Sequence, residues 1–380
     1  MIIDVYAIQN VPPCNINRDD TGTPKTAIYG GVLRSRVSSQ AWKRAIRKAF
    51  PSLIEDDRLG VRTKKAVNLI ADKISEISPS LSEKSSEYAE AVLKGAGVKV
   101  EESKRAGSEH GSPVTKYLIF ISREEIAKLA EIAVKFFGDS NGDGDADNQK
   151  ALKKEVSAAF HGSQALDIAL FGRMLADSPD LNVDASAQVA HAISVDRVTQ
   201  EYDYFTAIDD CVADDNAGAA MIETNGFNSS TLYRYATVNV ESLFGQLGDA
   251  TATACGARAF VEAFAMSMPS GKQNTFANKT FPNALVVSLR DHSSINAVSA
   301  FEVPVRPVSD LSISHQAEER LATSLSSYEE TYGQRPRKAM WLAVDGGGES
   351  LQGYGEQCSF QEMLSTIENE VRTHCEGEEK

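Results

Sequence analysis

The first apolar run, "IIDVYAI" (residues 2–8), alternates and is rich in β-branched residues, which predicts a strand. A turn-rich stretch, "NVPPCNINRDDTGTPK" (10–25), interrupts it, and "VLRSRV" (32–37) predicts a second short strand. The period then changes. In "SSQAWKRAIRKAF" (38–50), Ala41, Trp42, Ala45, Ile46, Ala49 and Phe50 recur at helical spacing on one side. Lys43, Arg44, Arg47 and Lys48 recur on the other, and a Ser stands at the N-cap. From about residue 56 to 181 the pattern is helical and mostly polar, with "VRTKKAVNLIADKISEI", "SSEYAEAVLKGAG", "REEIAKLAEIAVKFF" and "NQKALKKEVSAAFHG" as candidate helices, so this region reads as an insertion. Residues 195–230, rich in Asp, Asn and Gly, predict an extended excursion from the core. Beyond them "TLYRYATVNV", "NALVVSLRD" and "KAMWLAVDG" read as strands and "ATACGARAFVEAFAMSM" as a helix. Strand, helix, strands, helix and strand with two large insertions predict an α+β sheet domain of ferredoxin-like type.

Composition narrows the function classes. A 380-residue chain that is 42% hydrophobic is ordinary for a globular protein. No run approaches the roughly 18 apolar residues that a membrane span requires. The opening "MIIDVYAIQN" lacks the charged region and cleavage site of a signal peptide, so the cytoplasm is the expected compartment and no membrane partner is expected. Cys14, Cys211, Cys255, Cys358 and Cys375 are scattered with no C-x-x-C pair, which suggests neither a disulfide framework nor a thiolate metal site. The formal net charge of −14 argues against a general nucleic-acid footprint. Locally the balance reverses. Residues 1–50 hold eight Lys and Arg (Arg18, Lys25, Arg34, Arg36, Lys43, Arg44, Arg47, Lys48) against Asp4, Asp19 and Asp20.

Candidate chemistry gathers in that same segment. Gly30 and Gly31 allow either a close backbone approach to a partner or a tight turn, and the helix start at Ser38 and Ser39 offers N–H groups suited to phosphate. Asp139, Asn141, Asp143, Gly144 and Asp145 imitate calcium-loop spacing, but Lys150 stands where the bidentate Glu belongs, so no metal is expected. His110, His161, His191, His292, His315 and His374 accompany no nucleophile signature and read as structural. The acidic pairs Asp19-Asp20 and Asp209-Asp210 could bind a metal, although adjacent acids are common in turns and Arg18 is a natural ion-pair partner for the first. "YRY" (233–235) could stack on bases, or its two tyrosines could simply pack on one face.

Five stretches add a resemblance. They are "NRDDTGTPKTAIYGGVLRSRVSSQAWKRAIRK" (17–48), "DIALFGRM" (167–174), "AHAISVD" followed by "YDYFTAIDD" (190–210), "STLYRYATVNV" (230–240) and "GKQNTFA" (271–277). In this order they resemble the CasC family, the repeated backbone subunits of the type I-E CRISPR surveillance complex Cascade. The resemblance implies a hand-shaped molecule with an RRM-related, ferredoxin-like palm (1–55, 182–194 and 231–380), helical fingers (56–181) and a thumb hairpin (195–230). It implies copies aligned along a crRNA spacer, each thumb folding over RNA held by the next copy. The other implied partners are further Cascade subunits and target DNA, reached through the guide. A guide of changing sequence must be held by phosphate and sugar, which suits Lys, Arg, Ser and backbone N–H groups. On this basis Arg18, Lys25, Ser38, Gln40, Lys43, Arg44 and Arg47 are the first candidate crRNA ligands, with Lys272 and Gln273 second. Met174 is similar to a family residue that wedges beside a displaced base, a role suited to a flexible apolar side chain. No cofactor and no catalytic residue is implied. The rival readings are a CRISPR ribonuclease of related fold that cuts with a His, and a filament protein without RNA, which leaves the basic stripe unexplained.

Overall fold

Strand β1 (Ile2–Cys14) lies in the middle of the largest sheet, which explains its nearly continuous burial. It pairs antiparallel with Met221–Asn239 on one side, from Ile2 opposite Asn239, and with Ala284–Arg290 on the other, from Ile2 opposite Arg290. The structure is a computed structural model and describes residues 1–103, 112–138, 146–162, 164–175, 177–207, 221–344 and 346–378. The main path of the sheet runs Glu356–Gln357, Lys338–Ala343, Ala284–Arg290, β1, Met221–Asn239, Ala192–Ser194, β3 (Val32–Val37) and β2 (Thr26–Tyr29). Along this path only the pairing of Lys338–Ala343 with Glu356–Gln357 is parallel. With eleven α-helices among the described residues, the chain is α+β, as its patterning predicts.

Contact divides the chain into two compact units, one of Met1–Ala49, Gln188–Val240 and Ala257–Lys380, the other of Phe50–Ala187 and Glu241–Gly256. In the first, strand alternation sorts the "YRY" side chains. Tyr233 and Tyr235 are buried with Tyr6, Trp341 and the Ala317, Leu321 and Leu325 face of helix Ile313–Tyr332. Arg234 points to the opposite side. Of the two readings of "YRY", packing is the one the structure shows.

A buried polar hub crosses the same sheet. Arg290 Nε donates to Asp4 Oδ2 at 2.9 Å and Nη2 to Glu329 Oε1 at 2.7 Å, while the Tyr235 hydroxyl and the Ile295 N–H also donate to Asp4. Burial raises the Asp4 carboxyl above the usual carboxylate range, and those donors and the Arg290 charge oppose the shift.

The second unit is helical. Ala66–Ile77, Ser85–Gly95, Arg123–Phe137 and Ala146–Phe160 enclose a core that includes Ile70, Ile74, Val92, Leu129 and Val156. Two short two-stranded sheets accompany them, Gly60–Thr63 with Ile119–Ser122 and Val100–Glu102 with Pro113–Thr115. Helix Arg123–Phe137 starts on a capping box in which Ser122 and Glu125 exchange side-chain and backbone hydrogen bonds.

Within 195–230, Glu201–Ala207 pairs antiparallel with the first residues of Met221–Asn239, from Glu201 opposite Phe227 to Ala207 opposite Met221. Residues 208–220, with Asp209, Asp210 and Cys211, lie outside the described residues, as do His110 and residues 139–145 of the calcium-like loop. Two helices the patterning did not signal, Ile313–Tyr332 and Phe360–Glu378, complete the C-terminal part. Among the described residues no helix is long and apolar enough to cross a membrane.

Candidate nucleic-acid interface

The turn-rich stretch is ordered by its own short polar side chains. Buried Asn15 donates through Nδ2 to the carbonyls of Gly22 and Gly226, each at 2.9 Å, tying the loop to the strand Met221–Asn239. Asp19 Oδ1 accepts from Thr21 N, Thr21 Oγ1 and Thr23 N, so this carboxylate shapes a turn, and those bonds hold its pKa below the usual range. Its adjacency to Arg18 suggested an ion pair, but threonine donors take the carboxylate. Asn17 then joins loop to helix. Its carbonyl accepts from Lys25 N and its Oδ1 from Ser38 N at 2.8 Å.

Gly30 and Gly31 form the two-residue turn between β2 and β3, with φ +58° and +74°, the signature of a type I′ hairpin. The close approach allowed by Gly30 is internal, since a Cβ there would collide with the Glu302 carbonyl. Arg34, one of the eight cations of the opening segment, is wholly buried. Its guanidinium donates to five main-chain carbonyls, those of Tyr29, Ser194, Val195, Phe301 and Glu302, at 2.7 to 3.2 Å. It belongs to the scaffold of the surface, not to its outer charge.

Helix α1 (Ser39–Ala49) buries Trp42 and Ile46. Beneath it the Arg234 guanidinium is stacked between rings, 3.7 Å from the Trp42 centroid and 4.3 Å from that of Phe264. A desolvated cation–π contact contributes about 2 kcal/mol. Arg234 also donates to Gln9 Oε1 and to the Phe264 carbonyl, so the sheet grips the helix through one side chain. The outward face carries Gln40, Arg44 and Lys48 exposed and Lys43 and Arg47 half-buried. Among the described residues no carboxylate pairs with Lys43, and burial lowers its pKa.

The N–H groups at the helix start are largely engaged. Besides Ser38 N on Asn17, Ala41 N reaches Ser38 Oγ at 3.4 Å, and Ser39 N donates to His191 Nδ1 at 3.3 Å. Arg36 Nη1 lies 3.3 Å from that same Nδ1. Burial, then the charges of Arg36 and Lys25, lower the His191 pKa.

The loop 271–277 packs through Gly271 against the backbone of Asn15 and Ile16. A Cβ at Gly271 would collide with the Ile16 carbonyl, and Lys272, with φ +49°, donates through Nζ to Asn225 Oδ1 at 3.0 Å. Gln273 follows, half-buried, at the start of a one-turn helix. Arg18, exposed, bridges to Pro24 across the loop. Arg18, Lys25, Ser38, Lys272 and α1 with Gln40, Lys43, Arg44 and Arg47 thus sit on segments joined by Asn15, Asn17 and Asn225. Met174 belongs to the second unit and is 82% exposed. It stands between Arg173, paired with Glu125 at 2.6 Å, and Leu175, whose N–H donates to Asn182.

Sequence reasoning passed over Asn15 and Asn17 and read His191 as structural. An N-x-N pair before an Asp-rich turn is a usable signal for the first two. For His191 there was none, because its partners lie 155 and 152 residues away in the chain.

Comparison with known proteins agrees over nearly the whole length. Residues 3–366 match the model of the CT1975-like protein family. No curated protein matches. One solved chain, from a structure described as "CRISPR RNA-guided surveillance complex, pre-nicking", is 30% identical with a TM-score of 0.82, covering 98% of this chain and 100% of that one. Another, from a "CRISPR RNA-guided surveillance complex", is 26% identical with a TM-score of 0.69, covering 96% and 100%. With the family model spanning all but the ends of the sequence, the chain belongs to the CT1975-like protein family.

Proposed function

We propose that this protein is a non-catalytic, crRNA-holding backbone subunit of a CRISPR surveillance complex of the CasC, type I-E Cascade kind. The observation that carries the reading is the cationic face of α1 and its neighbours on a chain of net charge −14. Its half-buried Lys43 has no carboxylate partner among the described residues, so an external anion is its natural counter-charge. The solved relatives come from RNA-guided complexes, which supports RNA as that anion. In this reading the first unit supplies a ferredoxin-like palm, the second the fingers, and the pairing of Glu201–Ala207 with Met221–Asn239 the base of a thumb. Copies align along the spacer and, with the other subunits, leave bases exposed for target DNA. Lys43 and Arg47 lie one turn apart on α1, where two cations match a phosphate backbone.

Co-expression with the other complex subunits and a crRNA tests this. The purified assembly is expected to carry intact RNA, read from its ultraviolet absorbance ratio and a denaturing gel, and the double variant Lys43→Ala, Arg47→Ala to lose it while remaining folded. Shortened RNA would instead support the ribonuclease alternative, and normal RNA content in the double variant would remove α1 from the interface.

A further inference from the structure

Resting on the RNA-holding reading, we propose that His191 is a further RNA contact, a neutral imidazole that donates its Nε2–H to a non-bridging phosphate oxygen. The tautomer follows from its neighbours. The Ser39 backbone N–H and the Arg36 guanidinium can only donate, and both are 3.3 Å from Nδ1. Nδ1 is therefore the acceptor, and the ring proton resides on Nε2. The side chain is exposed, and among the described residues nothing accepts from Nε2. A donor is thus held in a fixed direction, without an acceptor, beside the cationic face.

The surroundings select the acceptor. Arg36 lies against the ring, the charge of Lys25 also acts on it, and its Nδ1 is fixed against the first turn of α1. This is an electropositive setting that suits an anion better than a neutral hydroxyl or a base edge. A third cation here would repel the other two. A neutral N–H adds a hydrogen bond to the anion without that cost.

The full-length chain, titrated with a short single-stranded RNA at three salt concentrations, provides the test. In His191→Asn the amide oxygen replaces Nδ1 as acceptor for Ser39, and the Nε2 donor is lost. We expect affinity to fall about three- to tenfold with an unchanged melting temperature. The slope of log K against log salt should not move, because no charge is removed. His191→Gln, which restores a donor at the reach of Nε2, should recover much of the affinity. Single-stranded DNA of the same sequence should lose by the same factor. Full affinity in His191→Asn, alongside weakened binding by Lys43→Ala, overturns the His191 role and leaves the RNA-holding reading standing. If the wild-type chain binds no RNA, both fall. A loss confined to RNA assigns the contact to the 2′-hydroxyl and refutes the phosphate, while a flattened salt slope or failure of the Gln rescue refutes the neutral donor.

Discussion

Replacing Lys43 by Ala is expected to weaken RNA binding and leave the fold intact, for reasons that can be followed quantitatively. Lys43 is half-buried on α1, and burial lowers its pKa with no carboxylate among the described residues to oppose it. Part of its hydration is already gone in the free protein. An arriving phosphate therefore strips less water and breaks no internal ion pair. A hydrogen bond to a charged group contributes about 1.5–3 kcal/mol. Discounted for the part of the side chain still in solvent, the loss is about 1 kcal/mol, roughly fivefold in Kd. Removing one phosphate contact should also flatten the salt slope by about 0.7. Stability is expected to move little. A lysine whose folded pKa is depressed burdens the fold below that pKa, and the burden lifts as the pH rises through the folded and then the ordinary pKa. Alanine removes that burden along with some packing of the stem. Fluorescence anisotropy with RNAs of several unrelated sequences, at three salt concentrations, measures both quantities, and a thermal melt checks the fold. An unchanged salt slope, or a loss that depends strongly on RNA sequence, would refute the assignment of Lys43 to a phosphate.

Two predictions concern the scaffold. Arg290→Met leaves Asp4 and Glu329 buried without their cation and should cost about 3–5 kcal/mol in denaturant unfolding at pH 8. Arg290 is one of the groups that oppose the burial-driven rise of the Asp4 carboxyl, so its loss lifts that carboxyl further above its unfolded value. The variant then gains more than the parent from protonation, the deficit should shrink as the pH is lowered toward 5, and a deficit that grows would contradict the reasoning. At the hairpin, Gly31→Ala meets open space and should cost about 1–2 kcal/mol for its left-handed backbone. Gly30→Ala adds the clash with the Glu302 carbonyl, a further 1–3 kcal/mol or so, and equal costs by chemical denaturation would show that the contact yields.

What could be read from the sequence divides by the range of the interactions. β1 and α1 announce themselves because period-2 and period-3.6 patterns are local, and the cationic stripe of α1 stands in the structure as its spacing implies. Alternation also placed Tyr233 and Tyr235 on one face. It could not say that Arg234 would be stacked between Trp42 and Phe264, since those rings arrive from two other elements. Helix Ile313–Tyr332 escaped notice because its buried face mixes Ser314, Glu318 and Glu329 with Ala and Leu, and such a face has no apolar stripe. The burial of Arg34 escaped notice for a related reason. Only the assembled chain brings five carbonyls to it, and only there do Asn17 and His191 meet the start of α1.

The cage around Arg34 also bears on how such a residue could be recognised by comparing sequences. Every amino acid supplies a main-chain carbonyl, so positions 29, 194, 195, 301 and 302 can change side chain while still presenting the oxygens that Arg34 requires. Dependence runs one way. The guanidinium needs the path of those three segments, yet their side-chain identities carry no record of it. A search for pairs of positions that vary together would therefore find no partner for Arg34, and its constraint is written in backbone geometry alone.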